Sequence, residues 1–532
     1  MAENNKIIKG RDLSKGITGG AFSLTLSTII VKILGLIYKI PLSSILGDDG
    51  MGCFNSAYTV YGLFYILATA GVPKAIMIML CEAKARGETT RENVIVRTGI
   101  AVFSIVGVLF TLLLIVFARP LAELIGNSRS FATMIAIAPS IIFVALGGVL
   151  RGYMSADMKF TDIAVSQVVE GVGKLVFGLL FASLGKRLLL PVEIISALTI
   201  LGVSMGALFG LIYLAVSSKI FKTAYKTGQS IKFCSAISIT KRVFYISVPI
   251  TVSAAIMSIS NIIDLGLIMN SLKEIGYSEG QRSALYGNYT TLAVPMFNFA
   301  IALITPIAIS FLPEYTACYV RGDRPSLLEI EKRALSFTGF LAAPMTAGLI
   351  LFSKEILDLL FKNSDTRIGG ALLTILAPSI FFFSILINVN NLLEARGRVR
   401  APLISMIFGT TCKIVVSYLL ITKSGLGIFG APIGSLASYV IALSISLIIF
   451  AHENNRGLPV ISTNFLYYLL AFLSVFIGRK IYDSSIKNNF CLLLSVLLCG
   501  VIYLAFTILI AFIKRKYIEK RHIKQKCLSK II

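Results

Sequence analysis

Lysine side chains inside apolar segments are the residues of this sequence best suited to bind a charged ligand. The run from Ser27 to Gly47 is typical of a membrane-buried helix, yet it contains Lys32 and Lys39. Seven residues make about two helical turns, so both amines lie on one face, roughly 10 Å apart along the axis. A lysine in the hydrocarbon core costs about 3 kcal/mol, so this face is expected to meet protein or a wet cavity. Lys32, near mid-span, is interpreted as cavity-facing, whereas Lys39 could also reach the outer headgroups.

Four more charges fall within apolar runs. Lys74 follows the Gly-Val-Pro break at 71–73 and could line a cavity or anchor the helix at the inner surface. Glu170 and Lys174 are four residues apart with the acid first, so they could neutralise each other or serve a cavity. Lys413 has glycine at the position four residues earlier, which favours a cavity or an interhelical contact.

Asp264 is a lone carboxylate deep in the run NIIDLGLI. Such a group could carry a coupling ion or proton, or it could pair with a lysine of another helix. The polar and aromatic side chains of the second apolar run, Asn55 and Tyr58 among them, could contact a sugar or could simply pack. Because the candidates in the first half are rich in lysine, the pattern predicts an anionic substrate such as a phosphate or pyrophosphate.

The composition indicates a polytopic membrane protein. Of 532 residues, 56% are hydrophobic and only 14% are charged, whereas a soluble protein has nearer 25% charged residues. About fourteen apolar runs are long enough to span a bilayer as helices, and none alternates with the period of a barrel strand. The net charge of +24 is attributed to basic inside loops that set topology, and no nucleic-acid partner is predicted. Both termini are expected in the cytoplasm, with the basic tail against anionic lipid.

Metal and catalytic chemistry finds little support in the sequence. The eight cysteines are scattered without a CxxC pair, and the chain has only two histidines, His452 and His522. We therefore predict no metal site, no catalytic residue and no bound cofactor. Coupling to Na⁺, H⁺ or the membrane potential is left open.

An internal repeat organises the chain. LGLI at 34–37 recurs at 265–268, Ala-Pro-Ser at 138–140 recurs at 377–379, and Lys174 has a counterpart in Lys413. Each repeat holds six predicted helices, so the two lobes are expected to be parallel and to enclose a central substrate site. The predicted domains are an N-lobe at 1–216, a basic cytoplasmic linker at 217–242, a C-lobe at 243–451, and helices 13 and 14 with a basic tail at 452–532.

Three stretches carry a resemblance to a known family. The first runs from KILGLIYKIPLSSILGDDGMG at 32–52 through YTVYGLFYILATAGVPKAI at 58–76 to CEAKARGE at 81–88. The others are RGYMSADMKFTDIAVSQVVEGVGKL at 151–175 and NIIDLGLI at 261–268. These resemble polysaccharide-precursor flippases of the MOP superfamily, nearest to the group of stage V sporulation protein B and the Gram-positive lipid II flippases. The resemblance implies a MATE-like fold with two six-helix lobes and two further helices.

The resemblance also implies a function. It predicts that an undecaprenyl-pyrophosphate-linked saccharide, first of all lipid II, is flipped from the inner to the outer leaflet of the bacterial cell membrane by alternating access. In that family, basic residues of helices 1, 2 and 8 line the cavity, and here only Lys32 matches cleanly. Helix 8 has no charge, and the helix 2 cation is displaced to Lys74. Helices 13 and 14 would hold the lipid tail, and cell-wall synthesis proteins are possible partners.

Two other classes of function would require different sequence features. A cation-coupled multidrug exporter of the related family should have cavity carboxylates in its first half and should lack helices 13 and 14. A membrane-embedded glycosyl- or phosphotransferase needs clustered carboxylates or histidine at a membrane face. The inside loops have no DxD motif, so the sequence favours a flippase that breaks no bond and is not an enzyme.

Overall fold

The computed structural model describes residues 10–218, 233–361, 364–398, 400–454, 460–484 and 488–528, and every regular element in these ranges is helical. The chain divides into two compact units, the first ending at Thr291 and the second beginning at Leu292. The first unit contains α1 (Gly10–Thr69), α2 (Val72–Ala85), α3 (Thr89–Leu124), α4 (Phe131–Ile137), α5 (Ser140–Ala156), α6 (Phe160–Arg187), α7 (Val192–Ser218), α8 (Phe233–Glu274) and α9 (Glu279–Asn288).

The second unit is also helical throughout its described residues. A short turn of π-helix, Tyr289–Ala293, spans the boundary between the units. Its helices are α10 (Val294–Ser310), α11 (Leu312–Arg321), α12 (Arg324–Leu351), α13 (Ser353–Leu360), α14 (Thr366–Leu376), α15 (Ser379–Ala395), α16 (Arg400–Thr422), α17 (Gly430–Asn454), α18 (Val460–Ser484) and α19 (Asn489–Leu528).

The unit boundary differs in position from the predicted lobes. It lies inside predicted helix 8 (285–311), so predicted helix 7 (243–269) groups with the first unit. Of the predicted linker at 217–242, residues 219–232 lie outside the described residues, and residues 233–242 form the first turns of α8. The repeat-based lobes at 1–216 and 243–451 remain a prediction about the duplication.

The first long helix, α1, holds two predicted spans. It is kinked at Gly47, whose φ of 67° suits glycine and few other residues, and this kink separates predicted helix 1 (17–42) from predicted helix 2 (51–80). Predicted helix 2 is itself interrupted at Ala70 and Gly71 and continues as α2, with Pro73 in its first turn. The kink and the break give this part of the chain three straight pieces.

The described residues contain ten helical segments long and apolar enough to cross a membrane, or twelve if each of two bent pairs is one span. Segment Ile30–Lys84 counts once although it covers the second half of predicted helix 1 and all of predicted helix 2. Helix α8, which holds predicted helix 7, is not among the candidates. The total of fourteen therefore remains a prediction. Large apolar side chains such as Val116 and Val216 are about 70% exposed, as expected of helices that face lipid. The chain is an all-helical, multi-pass membrane protein.

Both bent pairs break at the repeated Ala-Pro-Ser motif. The axes of α4 and α5 differ by 42°, and those of α14 and α15 differ by 40°. Pro139 and Pro378 stand at these breaks, because proline has no amide hydrogen to continue the helical hydrogen bonds. Helices α5 and α15 start and end at matching positions of the repeat. The same proline bend therefore sets the direction of one helix in each unit.

Glycines bring α6 and α7 into backbone contact. A Cβ atom at Gly202 would lie 2.3 Å from the Gly178 nitrogen, and one at Gly206 would lie 2.5 Å from the Glu170 carbonyl oxygen. Gly202, Gly206 and Gly210 follow the four-residue spacing that lets membrane helices approach closely. This contact fixes the segment of α6 that carries Glu170 and Lys174.

The last two helices belong to the core of the second unit. Side chains of α18 and α19, including Leu470 and Tyr503, pack with Ala343 and Ala347 of α12. The Tyr503 hydroxyl donates a hydrogen bond of 2.9 Å to the Phe340 carbonyl oxygen. The predicted helices 13 and 14 are therefore integrated with the fold by ordinary side-chain packing.

Candidate functional site

A cavity of about 540 Å³ opens within the first unit, which is a typical volume for a small-molecule site. Five helices, α1, α5, α6, α7 and α8, form its walls. Its lining consists of Val31, Lys32, Tyr58, Tyr61, Gly62, Tyr65, Ile66, Arg151, Gln167, Glu170, Gly171, Lys174, Val203 and Ser258. Charged and aromatic groups therefore dominate the polar part of the cavity.

Lys32 is exposed and lines this cavity. Among the described residues it makes no ion pair or hydrogen bond within the protein. One turn earlier, the Ser27 hydroxyl donates a hydrogen bond of 3.0 Å to Oε1 of Gln167, which ties α1 to α6. The cation is thus carried on an anchored helix, while its amine remains available to a ligand.

Glu170 has a partner that the sequence did not suggest. Its Oε2 accepts a hydrogen bond of 2.7 Å from Nη2 of Arg151 on α5. The pair with Lys174, one of the two alternatives drawn from the sequence, is not among the ion pairs of the described residues. Both side chains instead line the cavity, which is the other alternative. The Arg151 and Glu170 side chains are 17% and 30% exposed, so the pair borders the cavity without being sealed.

Arg151 is a charged cavity residue that the sequence analysis did not single out. The structure places it in the last turns of α5. The available signal was the short turn at Asp157–Lys159, which makes α5 and α6 consecutive neighbours. A long arginine near the end of one helix can then reach a carboxylate on the next.

Lys174 lies among tyrosines. Its Nζ is 4.5 Å from the centroid of the Tyr58 ring and 5.5 Å from that of Tyr38. The same amine donates a hydrogen bond of 3.5 Å to the Tyr58 hydroxyl. A cation over an aromatic face is held more weakly than one in a close ion pair, so this amine can turn to an anionic ligand.

Tyrosines form a ladder along the α1 wall of the cavity. The ring centroids of Tyr58 and Tyr61 are 5.8 Å apart, and those of Tyr61 and Tyr65 are 5.9 Å apart. Spacings of three and four residues put these rings on one helix face. The ladder offers apolar faces and hydroxyl groups in the same cavity as the cations.

Two predicted site residues have other partners near the end of the first unit. Lys39 donates a hydrogen bond of 3.1 Å to the Thr290 carbonyl oxygen. The buried amide of Asn55 donates one of 2.8 Å to the Thr291 hydroxyl. Neither side chain lines the cavity.

The remaining predicted residues also lie outside the cavity lining. Lys74 is exposed at the start of α2, and Asp264 is partly buried on α8, where it acts electrostatically on Tyr286. Lys413 belongs to α16 of the second unit. The structure thus brings Lys32, Tyr58, Glu170 and Lys174 together. The binding or ion-coupling roles of all nine predicted residues stay predictions.

The cavity has an excess of positive charge. Three cationic side chains line it, Lys32, Arg151 and Lys174, against one carboxylate, Glu170. Lysine presents a point charge and arginine a planar fork of donors, and both suit phosphate oxygens. No cluster of three or more His, Cys, Asp or Glu side chains that could hold a metal occurs in the part of the chain that the structure describes.

A family model described as "Lipid II flippase MurJ" matches residues 42–502. The chain belongs to the MurJ family. Among the similar proteins is stage V sporulation protein B of Bacillus subtilis (strain 168), which is 23% identical over 479 residues, or 88% of this chain and 89% of that protein. The resemblance read from the sequence is confirmed.

Solved structures agree with the membership at the level of fold. A lipid II flippase MurJ in an inward closed conformation has a TM-score of 0.67 at 17% identity, and covers 93% of this chain and 99% of its own. An inward-facing multidrug resistance MATE transporter of the MOP superfamily has a TM-score of 0.62 at 15% identity, with 82% of this chain and 98% of its own covered. The MATE-like fold predicted from the sequence is confirmed.

Proposed function

We propose that this protein flips an undecaprenyl-pyrophosphate-linked saccharide, first of all lipid II, from the inner to the outer leaflet of the bacterial cell membrane. One observation carries the proposal. A chain of the MurJ family has a cavity whose charged lining is three cations and one carboxylate. A membrane-buried cavity of this charge favours an anion of the pyrophosphate type.

Within this proposal, the pyrophosphate binds Lys32 and Lys174. Both amines line the cavity, and neither forms an ion pair within the described residues. The saccharide lies against the tyrosine ladder of Tyr58, Tyr61 and Tyr65, since sugars use both ring faces and hydroxyl donors. The prenyl tail stays in lipid or against α18 and α19.

The movement is alternating access without cleavage of a bond, and no catalytic residue or cofactor takes part. With both termini in the cytoplasm, the substrate travels outward. An inside-negative potential of 100 mV then favours an outgoing anion by about 2.3 kcal/mol per charge. Asp264 is a candidate for coupling to Na⁺ or H⁺. Anionic lipids would contact the basic tail, and cell-wall synthesis proteins would supply and remove substrate.

Export of cationic drugs is the competing function, and the cavity charge argues against it. A cation exporter needs carboxylates that are available to its substrate. The cavity's one carboxylate, Glu170, is bound by Arg151 at 2.7 Å. Two further amines would repel a cationic ligand in the same space.

Complementation with a matched control tests the proposal. Lys32→Ala is expressed in a strain depleted of its lipid II flippase, alongside Lys273→Ala, which removes an exposed amine in the last turn of α8, outside the cavity lining. We expect wild type and Lys273→Ala to restore growth and Lys32→Ala to fail at equal protein level. Full rescue by Lys32→Ala would contradict the role of this amine. Failure of the wild-type protein to flip lipid II in proteoliposomes would contradict the proposal that lipid II is its substrate.

A further inference from the structure

We propose that Arg151 and Glu170 form an exchangeable ion pair, in which the carboxylate occupies Arg151 until a substrate pyrophosphate displaces it. Arg151 is then a third phosphate-binding cation, and Glu170 sets how tightly the anion is held. This inference rests on the proposed function and adds a specific role for two residues. The group recognised is a pyrophosphate, whether free or attached to a lipid.

The first argument is that the pair leaves arginine donors unused. A guanidinium has five N–H donors, and the contact with Glu170 uses one, from Nη2 at 2.7 Å. Its Nε is buried and has no hydrogen-bond partner among the described residues. A buried donor without a partner costs about 1–3 kcal/mol, so a ligand oxygen that reaches it would be favoured.

The second argument is access. The Arg151–Glu170 pair is 17% and 30% exposed and lies on the cavity wall. The second unit contains an arginine–glutamate pair of the opposite kind, Arg396 with Glu331, at 5% and 0% exposure. Only the first of these two pairs can be approached by a ligand without unfolding its surroundings.

The third argument is that the displaced carboxylate has somewhere to go. Lys174 lies one helical turn beyond Glu170 on α6, within reach of an i, i+4 contact. In the structure this amine lies over the Tyr58 and Tyr38 rings and makes no ion pair among the described residues. When the anion takes Arg151, Glu170 can turn to Lys174 and avoid being left as an isolated charge in the membrane.

Exchange of this kind predicts that the anion binds with lower apparent affinity and is released faster. The apparent affinity of a ligand falls when its binding partner is free for only a fraction of the time. Removing the competing carboxylate should therefore tighten anion binding and slow release. A transporter that must let its substrate go would lose turnover while gaining affinity.

Calorimetric titration of the full-length protein in nanodiscs tests this. Undecaprenyl pyrophosphate and inorganic pyrophosphate are the two ligands, applied to wild type, Glu170→Gln, Arg151→Gln and the double variant. We expect Glu170→Gln to bind about ten-fold tighter, the worth of one charge-assisted hydrogen bond, and to flip lipid II more slowly. We also expect Arg151→Gln to cost more affinity in the Glu170→Gln background than in wild type.

That non-additivity separates exchange from simple loss of a negative charge, which would give additive effects. Glu170→Asp, which shortens the reach to Arg151, should tighten binding in the same direction by a smaller factor and serves if Glu170→Gln does not fold. Arg119→Gln is the control, because its exposed pair with Glu123 lies outside the cavity lining and should leave binding unchanged.

The outcomes separate this inference from the proposed function. Tightening with inorganic pyrophosphate shows that the pair responds to the anion itself, and tightening with the lipid alone identifies the prenyl-linked form as its ligand. Additive effects, or weaker binding by Glu170→Gln, with wild type still binding, would overturn the exchange alone. If neither ligand binds to the wild type, the proposed function is overturned together with the exchange.

Discussion

Helices α5 and α6 of the first unit and their repeat equivalents α15 and α16 of the second carry different residues at matching positions. In the first, α5 and α6 carry Arg151 and Glu170 to the cavity wall. The repeat-equivalent positions on α15 and α16 are Asn390 and Gly409. Asn390 accepts a hydrogen bond of 2.9 Å from the Ser446 hydroxyl, and a Cβ at Gly409 would lie 2.8 Å from the Ser438 carbonyl oxygen. These two positions thus carry charged side chains at a cavity in the first unit and take part in helix packing in the second.

The buried ion pair of the second unit, Arg396 with Glu331, contrasts with the cavity pair of the first unit. Arg396 lies 3.2 Å from Glu331 and 4.6 Å from the centroid of the Phe450 ring, and it also donates to the Tyr315 hydroxyl. Tyr315 in turn donates to Glu331. The group is buried and internally satisfied, so it holds helices together, whereas the Arg151 pair retains donors for a ligand.

The largest expected effect is on stability in the second unit. Glu331→Ala leaves the Arg396 charge buried without its carboxylate and should cost about 3–5 kcal/mol. Glu170→Ala should cost about 1 kcal/mol, because water in the cavity can solvate Arg151. Thermal unfolding of the two purified variants measures this difference. Equal losses would show that the two pairs do not differ as described.

Packing at Gly409 is the next test. Gly409→Ala places a methyl group against the Ser438 carbonyl and should destabilise the protein by about 1–3 kcal/mol. Gly62→Ala, at a glycine on the cavity wall with no neighbour within 4 Å of the added Cβ, is the matched control and should fold normally. The melting temperatures of both variants show whether the helices at Gly409 pack as closely as the Cβ distance indicates.

The two repeat-equivalent lysines should differ in transport. Lys174→Gln removes a cavity cation and should lower lipid II flipping about ten-fold, the worth of one charge-assisted hydrogen bond. Lys413→Gln, outside that cavity, should change flipping less than two-fold at equal protein level. A larger loss for Lys413→Gln would place a second anion site in the second unit. Flipping in proteoliposomes is the measurement.

The smallest expected effect concerns pH at the turn between α5 and α6. Burial alone would raise the pKa of Asp157, but hydrogen bonds from Lys84 and Lys159 hold this pKa below its usual value. The stability from the carboxylate is therefore present above its unfolded pKa of about 4 and is lost as pH falls through the lower folded value.

Asp157→Asn should consequently flatten the acid limb of a melting-temperature profile between pH 7 and 3, by about 1 kcal/mol at most because the group is partly exposed. The repeat-equivalent position of the second unit is Arg396, so it has no carboxylate and the change should come from the first unit. An unchanged acid limb would contradict it.

Sequence patterns predicted the class of fold and part of the site. Apolar runs and the low charge indicated the helical membrane protein, and mid-span position singled out Lys32. The fixed i, i+4 spacing suggested a Glu170–Lys174 pair, but spacing along one helix does not reveal a competing cation on its neighbour. Lys39 and Asn55 are polar groups in apolar runs like Lys32. Only tertiary packing shows that their partners are Thr290 and Thr291.

The backbone contact between α6 and α7 has a mechanical consequence for the cavity. Helices that touch through glycine have no side chains between them to slide or rearrange, so these two walls act as one rigid plate. Another wall is the part of α1 after Gly47, the joint that separates it from the part anchored to α6 through Ser27. A change in cavity volume is therefore most easily made by swinging this later part of α1 against the plate, which would carry Tyr58, Tyr61 and Tyr65 past stationary Glu170 and Lys174.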